Sequence, residues 1–514
     1  MNFRRNCFSI ITLLGSVFLI TACGKNNDFE QYKYLSSVTI SDKATKAQDG
    51  SWVKNSQFKP YYAAKKDGSS QELGTTYEVV NNYTYSGTQL SEVEDGRILE
   101  AEGERNILVV PVDFADYESS INHDDYINNL KKAFFGSAKN NKYVSVTEYY
   151  NRSSYGKLKI KGKVCDKFFT FHKKITHEYA KELRREDVYD AYKKVIEKTT
   201  GWYEANYHKS IDEFRIDPTK PKSPVALYFV YAHPTDNANF FWAYTFEDAP
   251  VSWTSYETLN SSSDNPDAHT LIHEVGHMFG LRDYYPTEET DMVEPTGRLD
   301  MMDGNIGDHT GLSKMQLNWT RPYHIKNSTE IKIKPLVSSG DLILIKNDWN
   351  GTVFDEYFLI EMYVPLGLNY FDANIGNSKA KLPSLPGIKI YHVDARLAYF
   401  SRLSSGLEFI EYCDVSYKAD PSTSIKNINI AHDNSTPQTV TEISGYKQNY
   451  LYELELNNVG HPEAACATNV NLFHKGDSYT IKASKFNKES NTFYKISVKS
   501  LSYTSATLKI EKTN

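Results

Sequence analysis

Apolar positions along residues 101–325 predict a mixture of strands and helices. Nearly continuous apolar runs at 106–114 and 224–232 are typical of buried strands. Apolar residues recur at helical spacing over 183–196, which predicts a long amphipathic helix, and a shorter helix is predicted over 126–135. Strands and helices mixed in this way indicate an α+β domain.

After residue 325 the helical periodicity disappears. Short runs rich in β-branched and aromatic residues follow one another, separated by Gly, Pro, Asn and Asp. This spacing predicts a β-rich, sandwich-like region over residues 326–514. The clearest runs are 331–333, 342–345, 357–363, 388–392, 479–481, 494–498 and 506–510.

The first residues have the features of an export signal. Arg4 and Arg5 provide a positive start, and residues 8–20 form an apolar stretch too short for a stable membrane span. The Thr-Ala-Cys sequence that follows resembles the lipobox of bacterial lipoproteins, which predicts removal of residues 1–22 and diacylation of Cys23. Acyl chains there would hold the protein on the extracellular face of the bacterial cell membrane. The other interpretation is a plain secretory signal with an incidental cysteine.

Composition and charge argue against a nucleic-acid-binding protein and against a disulfide-rich protein. The 514 residues have a formal net charge of −7, so no basic field favours nucleic acid as a partner. Apart from the cysteines near the start, Cys165, Cys413 and Cys466 lack the spacing of a metal site, and their odd number argues against a disulfide framework. Residues 23–100 are polar, which fits either a tether or a prosegment that covers a cleft.

The segment His273-Glu-Val-Gly-His277 carries the strongest chemical signal. On a helix, residues four apart lie on one face, so both imidazoles can reach one zinc ion at about 2.0–2.1 Å. Glu274 points about 100° away from His273, where it can take a proton from the attacking water instead of binding the metal. Asn265 is the predicted N-cap of this helix, and Pro266 its first residue.

The third metal ligand must come from outside this helix. Gly280 can adopt the left-handed conformation that ends a helix, and Asp283 then follows close enough to complete a three-ligand site. Glu294 is the rival ligand, since a more distant glutamate can take this place. His269 is excluded because it lies about 12 Å from His277 along a helix, and a capping or supporting role is predicted for it.

Motifs around the helix resemble the immune inhibitor A family of secreted bacterial metallopeptidases. The resemblance covers residues 100–400 and includes the extended pattern H-E-x-x-H-x-x-G-x-x-D. The other matching segments are 146–150, 154–158, 300–303, 307–319, 356–361 and 386–394.

This resemblance implies a zincin-like metallopeptidase domain over residues 101–325. By the same resemblance, Glu274 would be the general base, and the zinc ligands would be His273, His277 and Asp283. Met302 would form a methionine turn beneath the site, with Met301 as the alternate.

Two further features are candidates for binding substrate. A second group that stabilises the developing oxyanion is usual in such sites, and the candidates are Tyr284, Tyr285 and His309. Residues 239–246 could form a sheet edge on which an extended peptide lies, and the alternative is an ordinary strand.

An acidic loop follows the helix. Its carboxylates are candidate ligands for structural calcium, and the alternative is a solvated loop. The acidic residues are Asp291, Glu294, Asp300, Asp303 and Asp308.

The sequence therefore predicts a zinc-dependent endopeptidase that hydrolyses extracellular proteins or peptides. The alternative from another class is a surface binding lipoprotein that keeps the peptidase fold without turnover. A third hypothesis is a zinc hydrolase that acts on a non-peptide amide. For the endopeptidase, the predicted partners are protein or peptide substrates and, through the N-terminal lipid, the membrane.

Overall fold

The computed structural model describes most of residues 98–513, with gaps of eight or more residues at 172–179, 286–295, 414–427, 431–450, 455–466 and 482–492 and shorter breaks elsewhere. Before residue 98 it describes three short strands, β1 (Ala44–Lys46), β2 (Trp52–Lys54) and β3 (Tyr77–Val79). The predicted signal and Cys23 lie outside the described residues. No helix among the described residues is long and apolar enough to cross a bilayer.

A six-stranded sheet organises the region before residue 260. Its strands are β4 (Gly103–Phe114), β5 (Leu158–Val164), β6 (Phe169–Phe171), β7 (Leu227–Tyr231), β8 (Tyr244–Thr245) and β9 (Val251–Ser255). Strands β5, β4, β7 and β9 run parallel in that order, β6 pairs with the end of β4, and β8 is an antiparallel edge strand. The buried strands predicted at 106–114 and 224–232 are confirmed as β4 and β7.

Helices cover both faces of this sheet. They are α1 (His123–Phe135), α2 (Val146–Ser153), α3 (Arg185–Tyr207) and α4 (His269–Met278). Ile107 and Val109 of β4 belong to a core shared with α1, α2 and α4, whereas Leu108 and Val110 pack in a second core with α3. This alternation follows from the two-residue period of a strand. The predicted helices over 126–135 and 183–196 are confirmed as α1 and α3.

Short helices connect the first sheet to the rest of the chain. They are α5 (Met301–Gly304), α6 (Gly311–Gln316), α7 (Leu336–Ser339) and α8 (Tyr370–Asn374). Single 3-10 turns occur at Asp212–Phe214, Asn239–Phe241, Tyr256–Leu259 and Gly367–Asn369.

Residues after 322 form three further sheets. Their strands are β10 (Tyr323–Ile325), β11 (Thr329–Ile333), β12 (Leu342–Ile345), β13 (Glu356–Tyr363), β14 (Gly387–Asp394), β15 (Leu397–Leu403), β16 (Gly406–Cys413), β17 (Ile428–Ile430), β18 (Leu451–Leu454), β19 (Ser478–Ile481), β20 (Phe493–Leu501) and β21 (Ala506–Thr513). The sheet orders are β18-β14-β13-β12-β10-β3, β11-β21-β20-β19 and β16-β15-β17. Each of the seven predicted runs lies in a strand, and the mixed α+β architecture with a β-rich C-terminal region is confirmed.

One buried apolar cluster joins the two predicted domains. It contains Val275 of α4, Ile360 of β13 and Ile510 of β21, which lie on both sides of residue 325. The indole of Trp319 donates to the carbonyl of Ala101 over 2.7 Å, so the start of the first sheet is bonded to the segment that leads into the second. The boundary at residue 325 stays a prediction.

Candidate metal centre

The histidine motif lies on helix α4, which is buried between the first sheet and the short helix α5. The helix begins at His269, and the backbone N–H of His269 donates a hydrogen bond to the carboxylate of Asp267. The predictions of Asn265 as the N-cap and Pro266 as the first helical residue are therefore wrong, because the N-cap position is Ala268, which makes no side-chain cap hydrogen bond. Every residue of the helix except Thr270 and His277 is buried.

Three potential ligand atoms converge at one end of this helix. Nε2 of His273 and Nε2 of His277 are 3.2 Å apart. Oδ1 of Asp283 lies 3.0 Å from the first of these nitrogens and 3.2 Å from the second. Within the described part of the chain, no other group of three His, Cys, Asp or Glu side chains is close enough to hold one metal ion.

Hydrogen bonds determine which imidazole nitrogen faces the cluster. Nδ1 of His273 lies 2.9 Å from the carbonyl oxygen of Met301, and Nδ1 of His277 lies 2.7 Å from that of Leu281. A carbonyl can only accept, so each Nδ1 is the protonated nitrogen and each neutral ring keeps an unshared pair on Nε2. The two Nε2 atoms therefore face the cluster as metal ligands would.

The cluster fits a zinc ion. With both imidazoles neutral and protonated on Nδ1, the buried Oδ1 of Asp283 receives no hydrogen bond from them, so three electron-pair donors face one another. Tetrahedral zinc with ligands at about 2.0–2.2 Å separates the ligand atoms by roughly 3.3–3.6 Å, close to the spacing observed here. Two imidazoles and one carboxylate are also ligand types that zinc accepts, with a fourth position left for water.

Without a metal ion, protons stabilise the same arrangement. Burial lowers the pKa of His277, but the charge of Asp283 outweighs it and raises that pKa to about 9. The pKa of His273 is also raised, since its hydrogen bond to Asp283 outweighs burial. Burial opposes ionisation of Asp283, yet the charge of His277 and its hydrogen bonds to both imidazoles lower its pKa well below the usual range.

A left-handed glycine brings Asp283 to the histidines. Gly280 has a φ of +83°, a conformation that only glycine adopts readily. The chain reverses there, and the N–H of Leu281 donates back to the carbonyl of Gly276 over 3.2 Å. The same reversal directs the carbonyl of Leu281 at His277, so one turn supplies both a ligand and the group that orients a ligand.

Glu274 lies beside the cluster and is not part of it. Its carboxylate Oε2 accepts from the hydroxyl of Thr245 over 2.9 Å, and Ser252 lies next to that hydroxyl. Burial raises the pKa of Glu274 above its usual value, against the attraction of His273 and His277. A carboxylate of raised pKa at this position is suited to accept a proton and pass it on.

The two methionines predicted beneath the site have different contacts. Met302 packs under Gly276, where an added Cβ would lie 2.5 Å from its sulfur. Met301 contributes its backbone carbonyl to His273. The side chain of Met302 therefore supports the helix from below, and the backbone of Met301 orients a ligand.

Of the three candidate oxyanion groups, the structure places one beside the cluster. The ring of Tyr285 stacks on that of His273 with centroids 6.3 Å apart. Burial, and to a smaller extent the charge of Asp283, raises the pKa of the Tyr285 hydroxyl. The hydroxyl of Tyr284 is instead 2.8 Å from Oγ of Ser313.

The remaining candidate, His309, lies away from the cluster residues in a buried aromatic environment. Its ring centroid is 5.4 Å from that of Tyr149 and 6.0 Å from that of Trp319. Nδ1 lies 3.6 Å from the carboxylate of Asp300. These contacts give His309 a packing role.

His269 is not in the cluster, as the helical distance predicted. Its two ring nitrogens instead contact the carboxylates of Asp267 and Asp372, the second over 3.2 Å. Its ring also stacks on Tyr143 with centroids 4.1 Å apart. Burial lowers its pKa, but the charge of Asp267 outweighs burial and raises that pKa to about 10. His269 therefore fastens the first turn of α4 to α8.

The calcium site, one of two interpretations of the acidic loop, is not formed by the aspartates that the structure describes. Asp300 accepts from the backbone N–H groups of Met302 and Thr310. Asp303 accepts from Thr296 and Arg298, whereas Asp308 accepts from Ser153 and Lys314. Each carboxylate thus has its own protein donors. Asp291 and the rival ligand Glu294 lie outside the described residues.

Residues 239–246 form less strand than the sequence indicates. Asn239–Phe241 is a single 3-10 turn, and only Tyr244–Thr245 pairs with the sheet, as edge strand β8. Phe240 and Phe241 are fully buried, whereas Trp242 is 54% exposed. The segment is therefore a short edge strand beside α4, anchored by two phenylalanines.

Several supporting residues had no recognisable signal in the sequence. Thr245 and Ser252 reach Glu274 from a separate part of the chain. The hydroxyl of Tyr150 donates to the carbonyl of Ile272 over 2.6 Å, inside α4. Tyr150 belongs to a segment noted for its family resemblance, and that resemblance was the only signal that could have drawn attention to it.

A comparison with protein-family models finds no match to this chain, and a comparison with curated protein sequences finds none either.

Proposed function

We propose that this protein is a zinc-dependent endopeptidase related to the immune inhibitor A family, with a zincin-like catalytic domain. The main support is the convergence of three ligand atoms, from His273, His277 and Asp283, within 3.2 Å of one another beside the buried Glu274. An export signal and a lipid on Cys23 would place the enzyme on the extracellular face of the bacterial cell membrane, where its substrates are proteins or peptides.

His273, His277 and Asp283 would hold the zinc ion. When bound, zinc supplies Lewis acidity, which makes water a nucleophile at neutral pH and polarises a carbonyl group. Glu274 accepts one proton as the water oxygen bonds to the scissile carbonyl carbon. It then delivers that proton to the amide nitrogen as the carbon–nitrogen bond breaks, which leaves a carboxylic acid and an amine.

Other residues would orient the substrate. Among the described strands, β8 pairs only with β9, so an extended peptide could pair with its other edge beside α4. Tyr285 is the candidate donor to the oxyanion, because its ring lies against His273. A linear peptide on a strand edge is the geometry that suits cleavage of internal bonds.

The test is cleavage profiling by mass spectrometry, with an unfolded protein and a peptide library as substrates. Zinc-loaded wild type should cleave internal peptide bonds, a chelator should abolish cleavage, and added zinc should restore it. Glu274→Gln should keep stoichiometric zinc and lose at least ~1,000-fold in kcat, since it removes the proton acceptor. Glu257→Gln, an exposed glutamate in the turn after β9, is the matched control and should cleave like wild type.

Two outcomes would contradict the proposal. If wild type cleaves no peptide bond and Glu274→Gln binds the same partner proteins, the chain is a binding lipoprotein. If a screen of small amides detects turnover while peptides stay intact, the zinc site serves a non-peptide amide hydrolase.

A further inference from the structure

Two buried hydroxyl groups contact Glu274 from the edge of the first sheet. Oγ1 of Thr245 is 2.9 Å from Oε2 of Glu274 and 2.9 Å from its backbone carbonyl oxygen. Oγ of Ser252 is 2.7 Å from Oγ1 of Thr245 and 3.3 Å from the same carbonyl oxygen. Both hydroxyls are buried, and the two residues face each other in the register of β8 and β9.

The number of protons determines how these groups bond. Each hydroxyl has one proton to donate, and an ionised carboxylate is a stronger acceptor than a carbonyl. Thr245 therefore donates to Oε2 of Glu274, and Ser252 donates to Thr245 over the shorter of its two distances. Among the described residues none donates to Oε1 of Glu274, so the two carboxylate oxygens are not equivalent.

We propose that Thr245 is a positioning residue for the proposed peptidase reaction: it fixes Oε2 of Glu274 so that Oε1 is the oxygen that receives the proton of the attacking water. Ser252 fixes the rotation of the Thr245 hydroxyl. This inference rests on the proposed function, because it assigns a task to the side chain that would act as general base.

A restraint on Glu274 matters because a free carboxylate can rotate about its terminal torsion. The terminal torsion of a glutamate is broad, so an unrestrained Glu274 would spend time with neither oxygen directed at the reacting water. A hydrogen bond from a neutral donor to a charged group is stronger than one between neutral groups, and it selects one orientation of the carboxylate. Because Thr245 lies on edge strand β8, the strand that would bind the substrate also holds the base.

Thr245→Val removes the hydroxyl and keeps the shape of the side chain, whereas Thr245→Ser keeps the hydroxyl. Thr199→Val is the matched control, since it removes a buried hydroxyl that donates to a helix carbonyl in α3. Each variant is compared with wild type for kcat and KM on one cleaved peptide, for zinc content, and for the orientation of Glu274 in a crystal structure of the metal-free protein.

We expect Thr245→Val to lose roughly tenfold or more in kcat with KM within about twofold, since one charge-assisted hydrogen bond is lost. Its zinc content should equal that of wild type, and the Glu274 carboxylate should turn or adopt several orientations. Thr245→Ser and Thr199→Val should keep kcat within about threefold of wild type.

An active wild type with an unchanged kcat in Thr245→Val overturns the inference and leaves the proposed function intact. Loss of zinc in Thr245→Val, or a Thr245→Ser variant as slow as Thr245→Val, also overturns it, because the side chain would then be structural. An inactive wild type overturns the proposed function itself, and a fixed Glu274 in the Thr245→Val crystal structure then overturns the positioning role as well.

Discussion

Nδ1 of His273 donates to the backbone carbonyl of Met301 across 2.9 Å, so the short helix α5 determines which nitrogen of a candidate zinc ligand faces the cluster. The contact is possible because Gly276 lets α5 approach α4 closely, with the sulfur of Met302 in the space that a Cβ would occupy. The position of the ligand thus depends on the packing of two helices.

Gly276→Ala should therefore destabilise the protein. The new Cβ would lie 2.5 Å from the Met302 sulfur and 3.3 Å from the Tyr150 hydroxyl oxygen, and overpacking of this kind costs about 1–3 kcal/mol. Denaturant unfolding of the metal-free protein measures the loss. Gly201→Ala in α3 is the control, since no atom lies within 4 Å of its Cβ position, and it should gain about 0.5–1 kcal/mol. Equal stability of Gly276→Ala and wild type would contradict this prediction.

Gly280→Ala should weaken zinc binding as well as stability. Its φ of +83° is strained for alanine by about 1–2 kcal/mol, and relief of that strain would move Leu281 and Asp283 away from the histidines. Gly476→Ala is a matched control, because Gly476 has a φ of +98° in the C-terminal region with open space around it. Competition with a chromophoric chelator should show weaker zinc binding in Gly280→Ala alone. The same zinc affinity in both variants would be inconsistent with the role assigned to this turn.

Asp283→Asn should lower zinc affinity by more than roughly 100-fold, since it removes a charged ligand.

At pH 7 the metal-free His277, with its pKa of about 9, is protonated, and zinc must displace that proton. Calorimetry in buffers of different ionisation enthalpy should therefore detect about one or more protons released per zinc bound by wild type. Asp124→Asn, at the exposed start of α1, should match wild type in both measurements. Release of no proton by wild type would refute the assignment.

The buried ion pairs of His269 predict a dependence of stability on pH. The folded-state pKa of His269, about 10, exceeds its ordinary value of 6.5, so its contribution is complete below pH 6.5 and is lost as the pH rises through 10. The charged groups that face His269 are the carboxylates of Asp267 and Asp372. Nζ of Lys142 lies 3.7 Å from Oδ2 of Asp267 on the other side of that carboxylate.

His269→Gln should cost about 3–5 kcal/mol at pH 6, because it leaves buried carboxylates without their cation. It should also make the decline in stability of the metal-free protein between pH 6.5 and 10 smaller, leaving the part that comes from His273 and His277. His123→Gln at the exposed start of α1 is the control and should change little. Parallel stability–pH curves for His269→Gln and wild type would show that the ion pairs do not stabilise the fold.

Local patterns explain which parts of the fold and site could be predicted. His273, His277, Gly280 and Asp283 lie within eleven residues, so one helical turn aligns the two imidazoles and the glycine turn returns the aspartate to them. Apolar runs likewise identify strands such as β4 and β13, because burial on both faces leaves an almost continuous apolar sequence.

The supporting contacts could not be predicted, since they join distant parts of the chain. Thr245 meets Glu274 across 29 residues, and the carbonyl of Met301 meets His273 across 28. A backbone carbonyl has no sequence signature, and a threonine in a two-residue strand resembles any other. The start of α4 could not be predicted either, because its N-cap position is Ala268, an alanine that has no capping side chain and so leaves no signal in the sequence.

The apolar cluster that runs from α4 to the last strand has a consequence for how this chain can be divided. Strand β11 pairs with β21, so residues 329–333 hydrogen bond with residues 506–510. A version that ends at residue 325 would remove β13 and Leu342 from against α6 and leave apolar members of this cluster facing water, where aggregation is expected. The protein should therefore melt as one cooperative unit, and its β-rich half serves as a permanent part of the scaffold.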